Sequence, residues 1–392
     1  MNMTSSLDAI LSAAVKSGKV PPVAAIAVDK AGVIYKGAFG PSRMDRNDTI
    51  NSDAIFQLHS MTKAITGTGC MQLVEQGRIS LDDDCGPLVP ALANPRVLVG
   101  FEDNGKPITR PAKGVITLRR LLTHTAGFVY EQWNPGMNQW MNSTGIGRAD
   151  FYKGPTTCPP LGFDPGERWE YGINIDWAGK VLEAVTNQTL DAYLNENVLA
   201  PLGMESTGFV PTEAQRARMV GVHQRQPDGN IIPVDFEHPR SAGHTFTGGG
   251  GMFGSADDYG RFMRMLLNRG SLDGIKVLRP ETVDLMGQNH IGDLVMTGLP
   301  TTRPELTNAF DFFPEVDKKW GLTFMINDEN LEGRRRAGSL SWAGLRNSYF
   351  WVDPASGIGG AIFFQLLPFA DKNVLDVYET FERGLYAALR KT

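Results

Sequence analysis

Two pairs of short apolar runs, one near each end of the chain, set the first expectation. Residues 23–40 read VAAIAVDKAGVIYKGAFG, with apolar runs on both sides of DKAG. That is a hairpin signal. Residues 348–367, SYFWVDPASGIGGAIFFQLL, repeat the design around DPASG. Helical periodicity brackets both pairs. Leu7, Ile10, Leu11, Ala14 and Val15 recur on one face near the N-terminus. Residues 373–391, NVLDVYETFERGLYAALRK, predict a C-terminal amphipathic helix. The simplest arrangement is an α+β fold: one antiparallel sheet flanked by helices, with the middle of the chain inserted.

The middle reads differently. Helical patches such as TLRRLLTHTAG (117–127), IDWAGKVLEAVTNQTLDAYLNENVLAPLG (175–203) and TEAQRARMVGV (212–222) alternate with proline-bearing loops, and strand runs are few. The expected division is therefore a discontinuous sheet domain, 1–85 and 236–392, and a mainly helical insert, 86–235. YGRFMRMLLNRG (259–270) and RPETVDLMGQN (279–289) predict further helices after it. TGGGGMFGS (247–255) lacks the spacing of a phosphate cradle and reads as a turn where backbone passes close to something.

Composition narrows the function. The 392 residues exceed one typical domain; 42% are hydrophobic and 21% charged, a globular balance. A formal net charge of −5 makes nucleic acid and anionic membrane poor partners. No segment reaches the roughly 18–20 apolar residues that span a bilayer. The N-terminus lacks the basic and apolar regions of a signal peptide. Three cysteines, an odd number without a CxxC, fit a reducing compartment. The expectation is a cytoplasmic protein acting on a small molecule; oligomeric state is left open.

Three stretches carry candidate chemistry. HSMTKAITG (59–67) puts Ser60 three residues before Lys63. On a helix starting near Ser60 the two share a face. The helix N-terminus and burial in apolar flanks both lower a lysine pKa, so a neutral Lys63 can take the Ser60 proton. WEYGINIDWAGKVLEAV (169–185) puts Tyr171 at a loop-to-helix junction, placed to share that proton. GSLSWAGLRNSYFWVD (338–353) puts Trp342, Ala343 and Gly344 ahead of the C-terminal hairpin. Small residues there let backbone N–H groups approach a ligand, as an oxyanion hole requires, with the Ser60 N–H as second donor.

In this order, with LLTHTAGF (121–128) between the first two, these motifs resemble the serine β-lactamase and penicillin-binding protein superfamily. More narrowly they resemble the family VIII carboxylesterases, over nearly the whole chain. YGINIDWAGK and FFQLLPF (363–369) also resemble fungal acyltransferases that load a lovastatin side chain. The resemblance implies a β-lactamase-like fold and an acyl-enzyme on Ser60, with Lys63 and Tyr171 as base and acid. The backbone N–H groups of Ser60 and Leu345 would hold the oxyanion. Substrate contacts fall to Gln57, Tyr130, Trp342, Ala343, Gly344 and Arg346, with no metal and no cofactor. Two departures matter. Asn174 comes one place later than in Tyr-x-Asn, and Trp342 stands where penicillin-recognising relatives carry a cation. Losing a charge-assisted contact to a carboxylate costs about 1.5–3 kcal/mol, whereas neutral esters lose nothing. The expectation is a serine carboxylesterase for short- to medium-chain neutral esters. The alternatives are a lovastatin-type acyltransferase or a weak β-lactamase.

Other classes fare worse. No serine has the G-x-S-x-G elbow of an α/β-hydrolase, and no HExxH occurs. His59 is expected to point away from Ser60, and His124 to be structural. A binding or sensor protein that acylates once is the non-enzymatic rival. Phe128, Tyr130, Trp133, Trp140, Phe151, Tyr152, Trp320, Phe324 and Trp342 are candidates for an apolar acyl or alcohol pocket.

Overall fold

The computed structural model describes residues 3–154, 157–235 and 246–390. Both hairpins form as the pattern predicts: β1 (Val23–Asp29) with β2 (Val33–Phe39), and, late in the chain, Ser348–Asp353 with Ile358–Phe363. Three more strands join them. With β3 (Lys318–Trp320), β4 (Met325–Asn327), β5 (Leu340–Gly344), β6 (Ser348–Asp353) and β7 (Ile358–Phe363), the described residues build one seven-stranded sheet. Its order is β3-β4-β5-β6-β7-β1-β2, antiparallel throughout. The β1–β7 register, Ala24 opposite Phe363 through Asp29 opposite Ile358, zips the two chain ends together.

Five helices matter for the site: α1 (Met3–Lys16), α2 (Thr62–Glu75), α3 (Asn174–Thr186), α4 (Ala256–Leu267) and α5 (Lys372–Leu389). Side chains alternate across a sheet, so both faces of β6 can be read from its neighbours. Tyr349 and Trp351 pack against Tyr378 of α5, while Phe350 packs against Tyr259 of α4. Helices therefore cover both faces, and every residue of β6 is buried. Under α5 lies a buried ion cluster: Glu382 accepts from both Arg334 and Arg335.

Residues 86–235 carry more strand than the pattern predicts. Arg96–Phe101 pairs with Pro107–Pro111, and Val222–Arg225 with Ile231–Val234. All four strands are short and one of each pair carries proline, which hides their alternation. All three cysteines are free thiols. No described helix is long and apolar enough to cross a membrane.

Candidate active site

Ser60 sits in a short 3-10 turn, His59–Met61, that runs directly into α2. Lys63 follows three residues on, and its Nζ lies 2.9 Å from Ser60 Oγ. Because α2 is apolar or small on nearly every side, Lys63 is fully buried. Burial penalises the ammonium and brings Lys63 from 10.5 to about 7; the Asp176 carboxylate opposes this and Arg148 adds to it.

Tyr171 arrives from the other side. The Ser60 hydroxyl and the Trp342 indole both hydrogen-bond its phenol oxygen, the indole Nε1 donating at 3.0 Å. Burial raises this phenol well above 10, and those two hydrogen bonds act against it. Tyr130 enters the same cluster: Lys63 Nζ lies 3.2 Å from Tyr130 Oη. The sequence reading put Tyr130 on the substrate wall. It does line the cavity, but its hydroxyl also touches the lysine. The third polar contact of Lys63 is the Gly249 carbonyl.

A buried lacework fixes Tyr171. His124 is fully buried, and its Nδ1 receives Gly172 N at 3.4 Å and Asn174 Nδ2 at 3.1 Å. Its ring stands 4.7 Å from that of Tyr171. Asn174 Nδ2 also donates to the Phe128 carbonyl at 2.8 Å. Asn174 therefore ties the Tyr171 turn to the 124–128 turn, and His124 is structural, as expected. Burial holds His124 well below 6.5, in the neutral form whose Nδ1 can accept.

Trp342, Ala343, Gly344 and Leu345 line the cavity at the edge of β5. A Cβ on Gly344 would stand 2.5 Å from the Leu58 carbonyl oxygen, so only glycine lets this edge approach the Ser60 turn. Among the described turn and loop hydrogen bonds, neither the Ser60 nor the Leu345 amide donates to a backbone carbonyl. The cavity holds about 490 Å³ and takes its apolar wall from Tyr130, Trp133, Tyr152, Phe310, Trp342 and Phe369.

Some expected residues do not reach it. Gln57 lies buried in the Ile55–Gln57 strand, paired with Phe253–Ser255, and does not line the cavity. Arg346 turns away at the end of β5; its Nη1 donates to Gln365 Oε1 at 3.4 Å, so it supplies no cation to the cavity. Phe128 stacks on Trp177, and Trp140 packs at a tilt against Phe151, both outside the cavity. Trp320 and Phe324 are fully buried core. His59, by contrast, does line it. Its φ of 46° breaks the helical course that would have carried the ring away.

Arg148, Asp176 and Gly249 also line the cavity. The glycine run at 247–255 was the signal for the last: backbone does pass close there, against Lys63. Asp176 stands within the quoted Tyr171 motif, but nothing in the pattern marks it as buried. Arg148 carries no sequence signal. It pairs with Glu131 at 2.9 Å and lies 4.5 Å over the Tyr130 ring.

A Ser–Lys pair with its lysine buried and a tyrosine against the serine, lining an aromatic cavity on this fold, defines a serine hydrolase of the beta-lactamase-like type. The chain belongs to the beta-lactamase family, whose model matches residues 7–383. It is 34% identical to monacolin J acid methylbutanoyltransferase of Aspergillus terreus, over 95% of this chain and 93% of the relative. It is 30% identical to lovastatin esterase of Penicillium rubens, over 97% and 98% of the two chains. Its fold matches unliganded simvastatin synthase of A. terreus with a TM-score of 0.87 at 31% identity, covering all of both chains.

Proposed function

We propose that this protein transfers a short acyl group, of the size of methylbutanoyl, from an ester or thioester donor to the hydroxyl of a bulky apolar alcohol, through an acyl-enzyme on Ser60. Hydrolysis accompanies transfer when water takes the place of the alcohol. The observation that carries the chemistry is the 2.9 Å contact between Lys63 Nζ and Ser60 Oγ at the floor of an aromatic cavity. The sequence alone put hydrolysis first. The near-full-length similarity to a methylbutanoyltransferase reverses that order.

The steps follow from the geometry. Lys63 with a pKa near 7 is substantially neutral at working pH. A neutral amine has two N–H bonds and one lone pair. The Gly249 carbonyl can only accept, so it takes one N–H. With Tyr130 Oη taking the other, the lone pair faces Ser60 Oγ. Ser60 Oγ attacks the donor carbonyl while its proton passes to Lys63. The N–H groups of Ser60 and Leu345 stabilise the tetrahedral oxyanion. The bond to the leaving group breaks, and the leaving atom takes the proton from the Lys63–Tyr171 pair that flanks Ser60 Oγ. The acceptor alcohol then returns a proton along the same path and attacks the acyl-serine. The new ester leaves and Ser60 recovers its hydrogen.

The test combines labelling with product partition. A fluorophosphonate should mass-label Ser60, and Ser60→Ala should lose turnover of p-nitrophenyl butyrate. Titration with a bulky apolar alcohol should divert product from butyric acid to the butyrate ester of that alcohol. A label on another residue, or an active Ser60→Ala, overturns the acyl-enzyme. Butyric acid alone at every alcohol concentration overturns transfer.

A further inference from the structure

We infer that Asp176 is a positioning residue, one that fixes Gly249 so that the Gly249 carbonyl aims Lys63 at Ser60. The inference rests on the Ser60–Lys63 chemistry proposed above. It adds a residue that does not touch the reacting atoms.

Asp176 is the third residue of α3 and is 5% exposed. Its Oδ1 accepts from Gly249 N at 2.8 Å. The carbonyl of that same glycine accepts from Lys63 Nζ. One residue thus takes the carboxylate on its N–H side and the lysine on its C=O side. The neighbouring peptide is held as well: Thr66 Oγ1, on α2, donates to the Gly248 carbonyl at 2.8 Å. The loop is therefore clamped between α2 and α3. The fit admits no side chain, because a Cβ on Gly249 would lie 2.8 Å from Asp176 Oδ2. A loop without Asp176 would have no fixed acceptor to present, and the lysine lone pair would lose its heading.

The electrostatics run the same way. A carboxylate beside a buried amine favours the ammonium. The titratable and charged groups facing Lys63 are Asp176 from α3, Tyr130 and Arg148 from either side of the Pro135–Thr144 helix, Tyr171 before α3, and His124. Burial keeps His124 neutral, and the two tyrosines are phenols with pKa values above 10. That leaves Arg148 pushing Lys63 down and Asp176 holding it up. Burial raises the carboxyl of Asp176 itself; Lys63, the Gly249 N–H, Arg148 and the Tyr152 hydroxyl favour its ionised form. Without Asp176 the amine would lose its proton at a lower pH.

The experiment is the kcat/KM–pH profile of wild type, Asp176→Asn, Asp176→Ala and Ser60→Ala with p-nitrophenyl butyrate. Asparagine keeps an oxygen for Gly249 N and loses the charge. Its acid limb should shift to lower pH by roughly one unit, with a plateau within about tenfold of wild type. Alanine also loses the clamp, and its kcat should fall about a hundredfold with KM little changed. An acid limb that stays in place in Asp176→Asn overturns the electrostatic role. Wild-type kcat in Asp176→Ala overturns the positioning role. Should the alanine variant fail to fold, the near-isosteric asparagine variant still decides by its limb. An active Ser60→Ala overturns the acyl-enzyme instead. An inactive Ser60→Ala beside an unmoved Asp176→Asn profile overturns only the electrostatic role of Asp176.

Discussion

Trp342 Nε1 donates to Tyr171 Oη at 3.0 Å, and the two rings lie 4.8 Å apart. Trp342 is therefore tied to the tyrosine of the site as well as forming its wall. Trp342→Phe keeps an aromatic wall and removes the N–H. A hydrogen bond to a group that gains charge is worth about 1.5–3 kcal/mol. We expect kcat/KM for p-nitrophenyl butyrate to fall ten- to a hundredfold, with the loss mainly in kcat. An unchanged kcat would mean that the indole serves only as wall.

Lys63 titrates near 7 because it is buried, and it must be neutral to accept the Ser60 proton. Activity should therefore rise with pH through about 7 and fall tenfold per unit below it. Lys63→Arg puts a group there that stays charged at every working pH. It should be inactive from pH 5 to 10, as read by stopped-flow acylation.

Gly344 is a steric requirement beside the Ser60 turn, with the Leu58 carbonyl 2.5 Å from where its Cβ would stand. Gly344→Ala should push the edge of β5 off the Ser60 turn and misalign the Leu345 amide. We expect kcat to drop about a hundredfold or more, in the range seen when one oxyanion donor is lost. Thermal unfolding should show a folded protein, since the change sits at the edge of the site rather than in the core.

Glu382 is fully buried between Arg334 and Arg335, with Arg335 Nε donating at 2.7 Å and Arg334 Nε at 2.9 Å. Burial alone would raise its carboxyl; the two guanidiniums outweigh that and hold it below 4.5. Its contribution is thus present above about pH 4.5 and lost as pH falls through the lower, folded-state value. Glu382→Ala strands buried charge and should destabilise the fold by about 3–5 kcal/mol in urea unfolding at pH 7. The gap between variant and wild type should narrow as pH drops below 4.5.

The strands and helices at both chain ends were legible because their apolar periods are long and cleanly bounded, as in 23–40 and 373–391. The hairpins at 96–111 and 222–234 were not, because short, half-exposed strands interrupted by proline carry no strict alternation. Of the site, Ser60 and Lys63 could be read because a three-residue spacing on a helix is a local fact. Tyr171 could be read as a candidate from its loop-to-helix position. Tyr130 beside Lys63, and Gln57 and Arg346 away from the cavity, could not: each depends on where one strand edge or loop meets another.

By itself, then, the sequence determined the elements at both chain ends, the antiparallel sheet they close, and the Ser60–Lys63 pair. These rest on periodicity and on contacts within a single turn of helix. Only the tertiary structure decided the rest. It buried Lys63 completely, gave Trp342 to Tyr171, spent Asn174 on His124 and Phe128, and set Gly249 between Lys63 and Asp176. Each of these joins residues far apart in the chain. Their energies come from desolvation and hydrogen-bond direction, which local sequence does not encode.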